Sequence, residues 1–142
     1  MVSFPGFTIQ ALIGDAGDFS LYTAQREADF APVILKVPNA PRPTAAEERR
    51  LEHELEVTRQ LDPALVLRPL DLIRAGGKTA LVFENGAWQP LAGETGAPME
   101  IGRFLKIAIR AASALAEIHR HDFIHKDLKP QHLLVDPADG SL

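Results

Sequence analysis

The sequence has 142 residues, 46% apolar and 24% charged, a composition that supports one folded domain and argues against disorder. A net charge of −4 gives no electrostatic reason to expect nucleic acid or an anionic membrane as partner, and the lack of cysteine excludes disulfides, thiolate catalysis and cysteine-ligated zinc. No apolar run reaches membrane-spanning length, and the first residues lack the basic and apolar regions of a signal peptide, so the expectation is a soluble, cytoplasmic protein.

In chain order, residues 7–13 (FTIQALI) have strand-forming character, residues 14–18 (GDAGD) are turn chemistry, and strand character resumes over 19–24. Residues 32–38 (PVILKVP) form a compact β-branched strand bounded by prolines, with Lys36 embedded in it. An embedded lysine requires a reason, either a solubilising charge on an edge strand or a function. A proline-rich connector follows. Thr44-Ala45-Ala46-Glu47 then fits a capping box that opens a helix running to about Gln60. On a helical wheel Leu51, Leu55 and Thr58 share a face and Glu54 lies beside them, while Glu52 and Glu56 point elsewhere. Glu54 is thus the carboxylate of this helix best placed to look inward.

Residues 66–74 and 79–84 are expected to pair as strands around the turn 75–78 (AGGK). Residues 89–98 read as loop. A long helix is expected over 101–120, with Ile101, Phe104, Leu105, Ala108, Ala111, Ala112, Leu115 and Ile118 as its inward stripe. A polar loop over 122–131 leads to a short strand, 132–135, and to the turn chemistry of 136–140. There is no internal repeat and no low-complexity tract. His53, His119 and His121 have no spacing that points to a metal site and are read as surface or helix-end residues.

The segment Ile124-His125-Lys126-Asp127-Leu128-Lys129-Pro130-Gln131-His132-Leu133-Leu134-Val135 resembles the catalytic loop of protein kinases, H-R-D-L-K-P-E-N followed by an apolar strand. The order of elements is also similar to a kinase small lobe followed by the start of a large lobe. The resemblance implies an α+β, protein-kinase-like fold. It has a small antiparallel-sheet lobe with one helix and a hinge over about 1–86, and the first helices and catalytic loop of the large lobe over about 87–142. It implies ATP-dependent phosphoryl transfer to a serine or threonine hydroxyl, with ATP and Mg2+ as cofactors and a protein substrate or downstream signalling domains as partners.

Under this resemblance Asp127 would accept or orient the substrate hydroxyl proton, Lys129 would stabilise the transferring phosphoryl group, and His125 would anchor the loop backbone. Lys36 resembles the lysine of V-A-I-K, which contacts the α and β phosphates, with Glu54 as its helix partner. Gly14 matches the first glycine of the phosphate loop, Ala16 the second and Phe19 the third, and Gly17 could substitute with a local shift. Each lost glycine limits how closely backbone can approach phosphate. Glu84-Asn85-Gly86 resembles the hinge, whose Glu84 carbonyl and Gly86 amide would meet the adenine edge, with Phe83 as gatekeeper.

Two positions depart from the pattern. Lys126 replaces the usual arginine, as in kinase-like domains at the front of large bacterial sensor histidine kinases, a subgroup that other segments also resemble. His132 replaces the magnesium-binding asparagine, and an imidazole is a poor ligand for that hard ion. The D-F-G segment would follow beyond Leu142, so the chain is expected to be a partial kinase domain, inactive alone, with the long helix's apolar stripe left open. The alternatives are a pseudokinase that senses nucleotide or binds protein, and a small-molecule phosphotransferase of the aminoglycoside or choline type. Lys129 favours a protein substrate over the latter.

Overall fold

The computed structural model describes residues 2–16, 18–86 and 88–136. The chain divides into two compact units. One is built from the residues up to Gln60 together with Leu67–Asn85, the other from Leu61–Val66 with the described residues from Gly86 onward.

The first unit is a five-stranded antiparallel sheet and one helix. Its strands are β1 (Phe7–Ala16), β2 (Phe19–Arg26), β3 (Pro32–Pro38), β4 (Asp71–Ala75) and β5 (Lys78–Glu84), and its helix, between β3 and β4, is α1 (Ala45–Thr58). The spatial order is β1-β2-β3-β5-β4, so β3 is the central strand. Strand alternation then sorts the side chains. Val33, Leu35 and Val37 of β3 and Ala80 and Val82 of β5 pack with Phe4 and Ala24 on one face. Leu81 and Phe83 project to the other face and pack with Phe19 and with Leu51 of α1.

Helix α1 begins at the expected capping box. The Glu47 amide donates to the Thr44 hydroxyl, and the Thr44 amide donates back to the Glu47 carboxylate at 2.6 Å. These bonds to Thr44 hold the Glu47 carboxyl below its ordinary range.

Several boundaries differ from expectation. β1 continues through the supposed turn to Ala16, because irregularities between Ile9 and Ala11 and between Leu12 and Gly14 twist the hairpin while keeping it paired. Gly17 lies outside the described residues. The strand expected over 66–74 is confined to β4. Leu65 and Val66 instead donate to the Asp62 carbonyl, a turn that belongs to the second unit, and Pro69 has no amide to give a ladder. The expected turn after β4 is present, with Gly76 and Gly77 at φ +58° and +74°, the left-handed values that a two-residue hairpin loop requires.

The second unit contains α2 (Ile101–Arg120) and a two-stranded pair, β6 (Gln89–Pro90) with β7 (Leu134–Val135). Short 3-10 turns occupy Leu91–Glu94 and Pro130–His132. Thus 89–98 is not wholly loop, and the final strand starts later than expected because Pro130 initiates a turn closed by the His132 amide on the Lys129 carbonyl, 2.9 Å. Helix α2 has the expected limits, and much of its apolar stripe lies open. Ile101, Phe104 and Leu105 are 72%, 55% and 50% exposed, Ala108, Ala111, Leu115 and Ile118 are half-buried, and Ala112 is exposed. The buried positions are Ile107 and Glu117. Periodicity locates an apolar stripe, but burial needs an element to cover it, and none of the described residues does so for the first turns.

Glu117 is only 6% exposed. Burial pushes its carboxyl up, but the Arg120 guanidinium, the Asp62 amide and His121 more than offset this and hold it below its ordinary range. The Asp62 amide donates to Glu117 at 3.1 Å, which joins 61–66 to α2. Nothing in the sequence singles Glu117 out, because a lone glutamate in an amphipathic helix resembles any solvated charge.

Candidate functional site

Within the first unit, Lys36 lies on the face of β3 opposite Val33, Leu35 and Val37. It is the Cα partner of Leu21 in β2 and of Leu81 in β5. A lysine with ladders on both sides is not an edge-strand charge. Its ammonium donates to the Glu54 carboxylate at 2.6 Å, and the two side chains are 22% and 32% exposed. The strand places Lys36, and α1 presents Glu54 one turn beyond the buried Leu51. The result is a charged pair on an apolar floor of Phe19, Leu51 and Leu81. A partly desolvated pair of this kind holds an ammonium in one place for an anion to meet.

Of the expected phosphate-loop positions, Gly14 is in extended β1 opposite Leu21, and a side chain there would meet only the Leu21 methyl at 3.9 Å. Phe19 is the first residue of β2 and is buried. Glu84 ends β5 and is exposed.

Gly86, in the second unit, is tightly covered. A Cβ there would lie 2.3 Å from Cζ3 of Trp88, so the indole rests on the Gly86 backbone. Trp88 is the sole tryptophan of the sequence. Gly86→Ala is therefore expected to displace the indole, and a clear change in tryptophan emission checks this. Unchanged emission would mean that the ring does not sit there. Nothing in the sequence singles Trp88 out, since an exposed aromatic in a loop carries no periodic signal.

The loop after α2 is built by a helix stop. Asp122 adopts φ +61°, its amide donates to the His119 carbonyl at 3.0 Å, and the Phe123 amide donates to the Ile118 carbonyl at 3.2 Å. This Schellman ending satisfies the last carbonyls and turns the chain sharply. A second left-handed residue, Lys126 at φ +64°, turns it again and brings out Asp127.

Asp127 is gripped through its own backbone. Its amide donates to Nδ1 of His125 at 3.3 Å, and its carbonyl accepts from Nδ1 of His132 at 2.8 Å. A carbonyl can only accept, so His132 carries its proton on Nδ1, whereas His125 must carry its proton on Nε2. The two rings lie 6.0 Å apart. The Asp127 carboxylate is 63% exposed and lies 3.1 Å from Lys129 Nζ. The Lys129 ammonium beside it holds that carboxyl below the usual aspartate range.

The arrangement offers an ionised, solvent-facing carboxylate on a loop fixed from both sides, with a cation beside it. Because the folded value is depressed, the ionised form and its contribution to stability persist above the ordinary aspartate range and are lost only as pH falls through the lower, folded value. Lys129→Ala is expected to raise the Asp127 midpoint toward that of free aspartate, followed by carbon-detected NMR titration of the carboxyl. No upward movement would show that Lys129 is not its partner. As for metal, His132 has its Nδ1 occupied, and among the described residues no group of three or more His, Asp or Glu side chains converges as a metal site.

Comparison with known proteins shows what this chain is similar to. The family model described as "Protein kinase domain" matches residues 7–142. The chain is 31% identical over 135 residues to the DNA damage-responsive serine/threonine-protein kinase RqkA of Deinococcus radiodurans, covering 92% of this chain and 20% of that protein. It is 28% identical over 137 residues to serine/threonine-protein kinase pkn3 of Myxococcus xanthus, covering 92% of this chain and 25% of that protein. It is 26% identical over 138 residues to serine/threonine-protein kinase 36 of Mus musculus, covering 94% of this chain and 10% of that protein. The chain thus spans a quarter or less of the length of each of these relatives.

Proposed function

Because this chain belongs to the protein-kinase family, we propose that it supplies the nucleotide-anchoring and catalytic-loop parts of an ATP-dependent serine/threonine kinase domain. The observation that carries this reading is the partly buried Lys36–Glu54 pair, 2.6 Å apart, which joins the central strand β3 to α1.

Phosphoryl transfer asks a protein mainly to position groups and to neutralise charge. ATP would supply the phosphoryl group, and Lys36, kept in place by Glu54, is the residue to bind its phosphates. In the catalytic loop, Asp127 orients the acceptor hydroxyl and takes its proton at a carboxylate oxygen. Lys129 offsets negative charge beside it, and His125 and His132 hold the Asp127 backbone. The Glu84 carbonyl and Gly86 amide are assigned to the adenine edge. Gly14, with Gly17, is assigned to the hairpin near the phosphates.

Family members use magnesium with ATP. Magnesium needs near-octahedral oxygen donors, and the His132 imidazole with one nearby carboxylate does not provide them, so the ion is not assigned to these residues. That same observation favours a second reading, a nucleotide-sensing pseudokinase.

Titration of the 142-residue chain with ATP by calorimetry, with and without magnesium, tests the proposal. Binding lost at least tenfold in Lys36→Met supports it. Equal binding by wild type and Lys36→Met refutes the anchor. Metal-independent binding, together with no phosphoryl transfer in a longer polypeptide that carries this chain, supports the pseudokinase reading.

A further inference from the structure

Phe19 stands where the kinase resemblance has a third loop glycine, yet its ring is 9% exposed and packed with Leu51, Leu81 and Phe83. The Lys36 ammonium lies 5.1 Å from the centroid of that ring, inside the roughly 6 Å range at which a cation is attracted to an aromatic face. Lys36 is thus held from two sides, by the Glu54 carboxylate at 2.6 Å and by the Phe19 π face.

The hairpin that carries Phe19 is itself tied down next to it. The Asp18 carboxylate accepts from Arg50 of α1 at 2.9 Å, the Asn39 amide donates to the Asp18 carbonyl at 2.8 Å, and the Ser20 hydroxyl donates to the Asn39 side chain. Residues 18–20 are therefore bound to α1 and to the connector before it, through groups independent of the ring.

We propose that Phe19 is a positioning residue for Lys36, its ring holding the ammonium toward Glu54 and linking the β1–β2 hairpin to the charged pair. The proposal rests on the reading of Lys36 as the nucleotide anchor, and it adds a residue that the motif pattern counts as a loss. Where glycine would let backbone approach phosphate, phenylalanine turns inward and fixes the lysine instead. Any displacement of the hairpin then withdraws the ring from Lys36, so hairpin position and phosphate affinity become coupled.

A ring that merely fills space could be replaced by another apolar group of similar volume, so the test uses two variants. Phe19→Leu keeps an apolar side chain and removes the π face. Site-specific pentafluorophenylalanine at position 19 keeps the shape and reverses the charge distribution of the face.

The 142-residue chain with isotopically labelled lysine is followed by NMR, and ATP binding is measured by calorimetry. The wild-type Lys36 ε-protons are expected upfield of those of exposed lysines through the ring current, and Phe19→Leu should abolish that shift. Both variants should keep a folded amide spectrum and bind ATP about three- to tenfold more weakly. Lys36 resonances at exposed-lysine positions in wild type would overturn the proposal, as would ATP binding within twofold of wild type in both variants. If Phe19→Leu does not fold, the fluorinated ring decides alone. If wild type binds no ATP, the nucleotide reading fails, and the ring-current shift still decides whether Phe19 holds Lys36.

Discussion

Asp127→Asn is expected to reduce phosphoryl transfer by about 100- to 10,000-fold, the range for removing a positioned general base, while leaving ATP affinity within about twofold. The assay uses a longer polypeptide that carries this chain, and a serine- or threonine-containing acceptor. The substitution suits the geometry because asparagine keeps the size of the side chain. It also leaves the two backbone bonds through which His125 and His132 hold the residue. What it removes is the negative oxygen that Lys129 stabilises and that can take a proton. Affinity should hold because Lys36, the proposed phosphate anchor, is on another unit of the chain. Substantial transfer by the variant would remove Asp127 from the chemistry, and joint loss of transfer and ATP binding would indicate a folding defect.

The second large effect is on stability. Leu51 is fully buried between α1 and the sheet, against Phe19, Leu81 and Phe83. Leu51→Ala is expected to cost about 2–5 kcal/mol, the lost transfer energy plus the cavity left behind. That is a large part of the roughly 5–15 kcal/mol available to a whole domain. Urea denaturation should show a lower midpoint at unchanged slope, and Leu51→Met, which nearly conserves volume, should cost less than about 1.5 kcal/mol. Because Leu51 lies one turn before Glu54, the cavity should also loosen the Lys36–Glu54 pair. A loss below about 1 kcal/mol in Leu51→Ala would mean that α1 is not packed on the sheet as described.

These effects depend on features that were unequally legible in the sequence. The helical wheel marks Glu54 as the inward carboxylate of α1, whereas its pairing with Lys36 is legible only through the resemblance to the V-A-I-K lysine and its helix glutamate. The Thr44 capping box and both ends of α2 follow from local chemistry that tertiary contacts did not override. The open stripe on α2 was legible too, but not that Ile107 and Glu117 are its buried positions: a period of 3.6 identifies an apolar face, whereas burial is a property of what lies against it. The strand expected over 66–74 was shortened because the turn at Asp62 is held by Glu117, 55 residues away in sequence. Phe19 was counted as a lost glycine, since no one-dimensional pattern shows that a ring will end beneath an ammonium. In the loop after α2 the residue types were readable. That two histidines would grip the amide and carbonyl of Asp127 was not, because it depends on the left-handed turn at Lys126.

Under the proposed function, the Lys36 ammonium meets the phosphates of bound ATP. The most direct measurement treats the 142-residue chain with a lysine-reactive acyl-phosphate derivative of ATP and locates the modified residue by mass spectrometry. The expected result is modification at Lys36, suppressed by excess unmodified ATP. Labelling confined to other lysines, or labelling of Lys36 that excess ATP does not suppress, would contradict it.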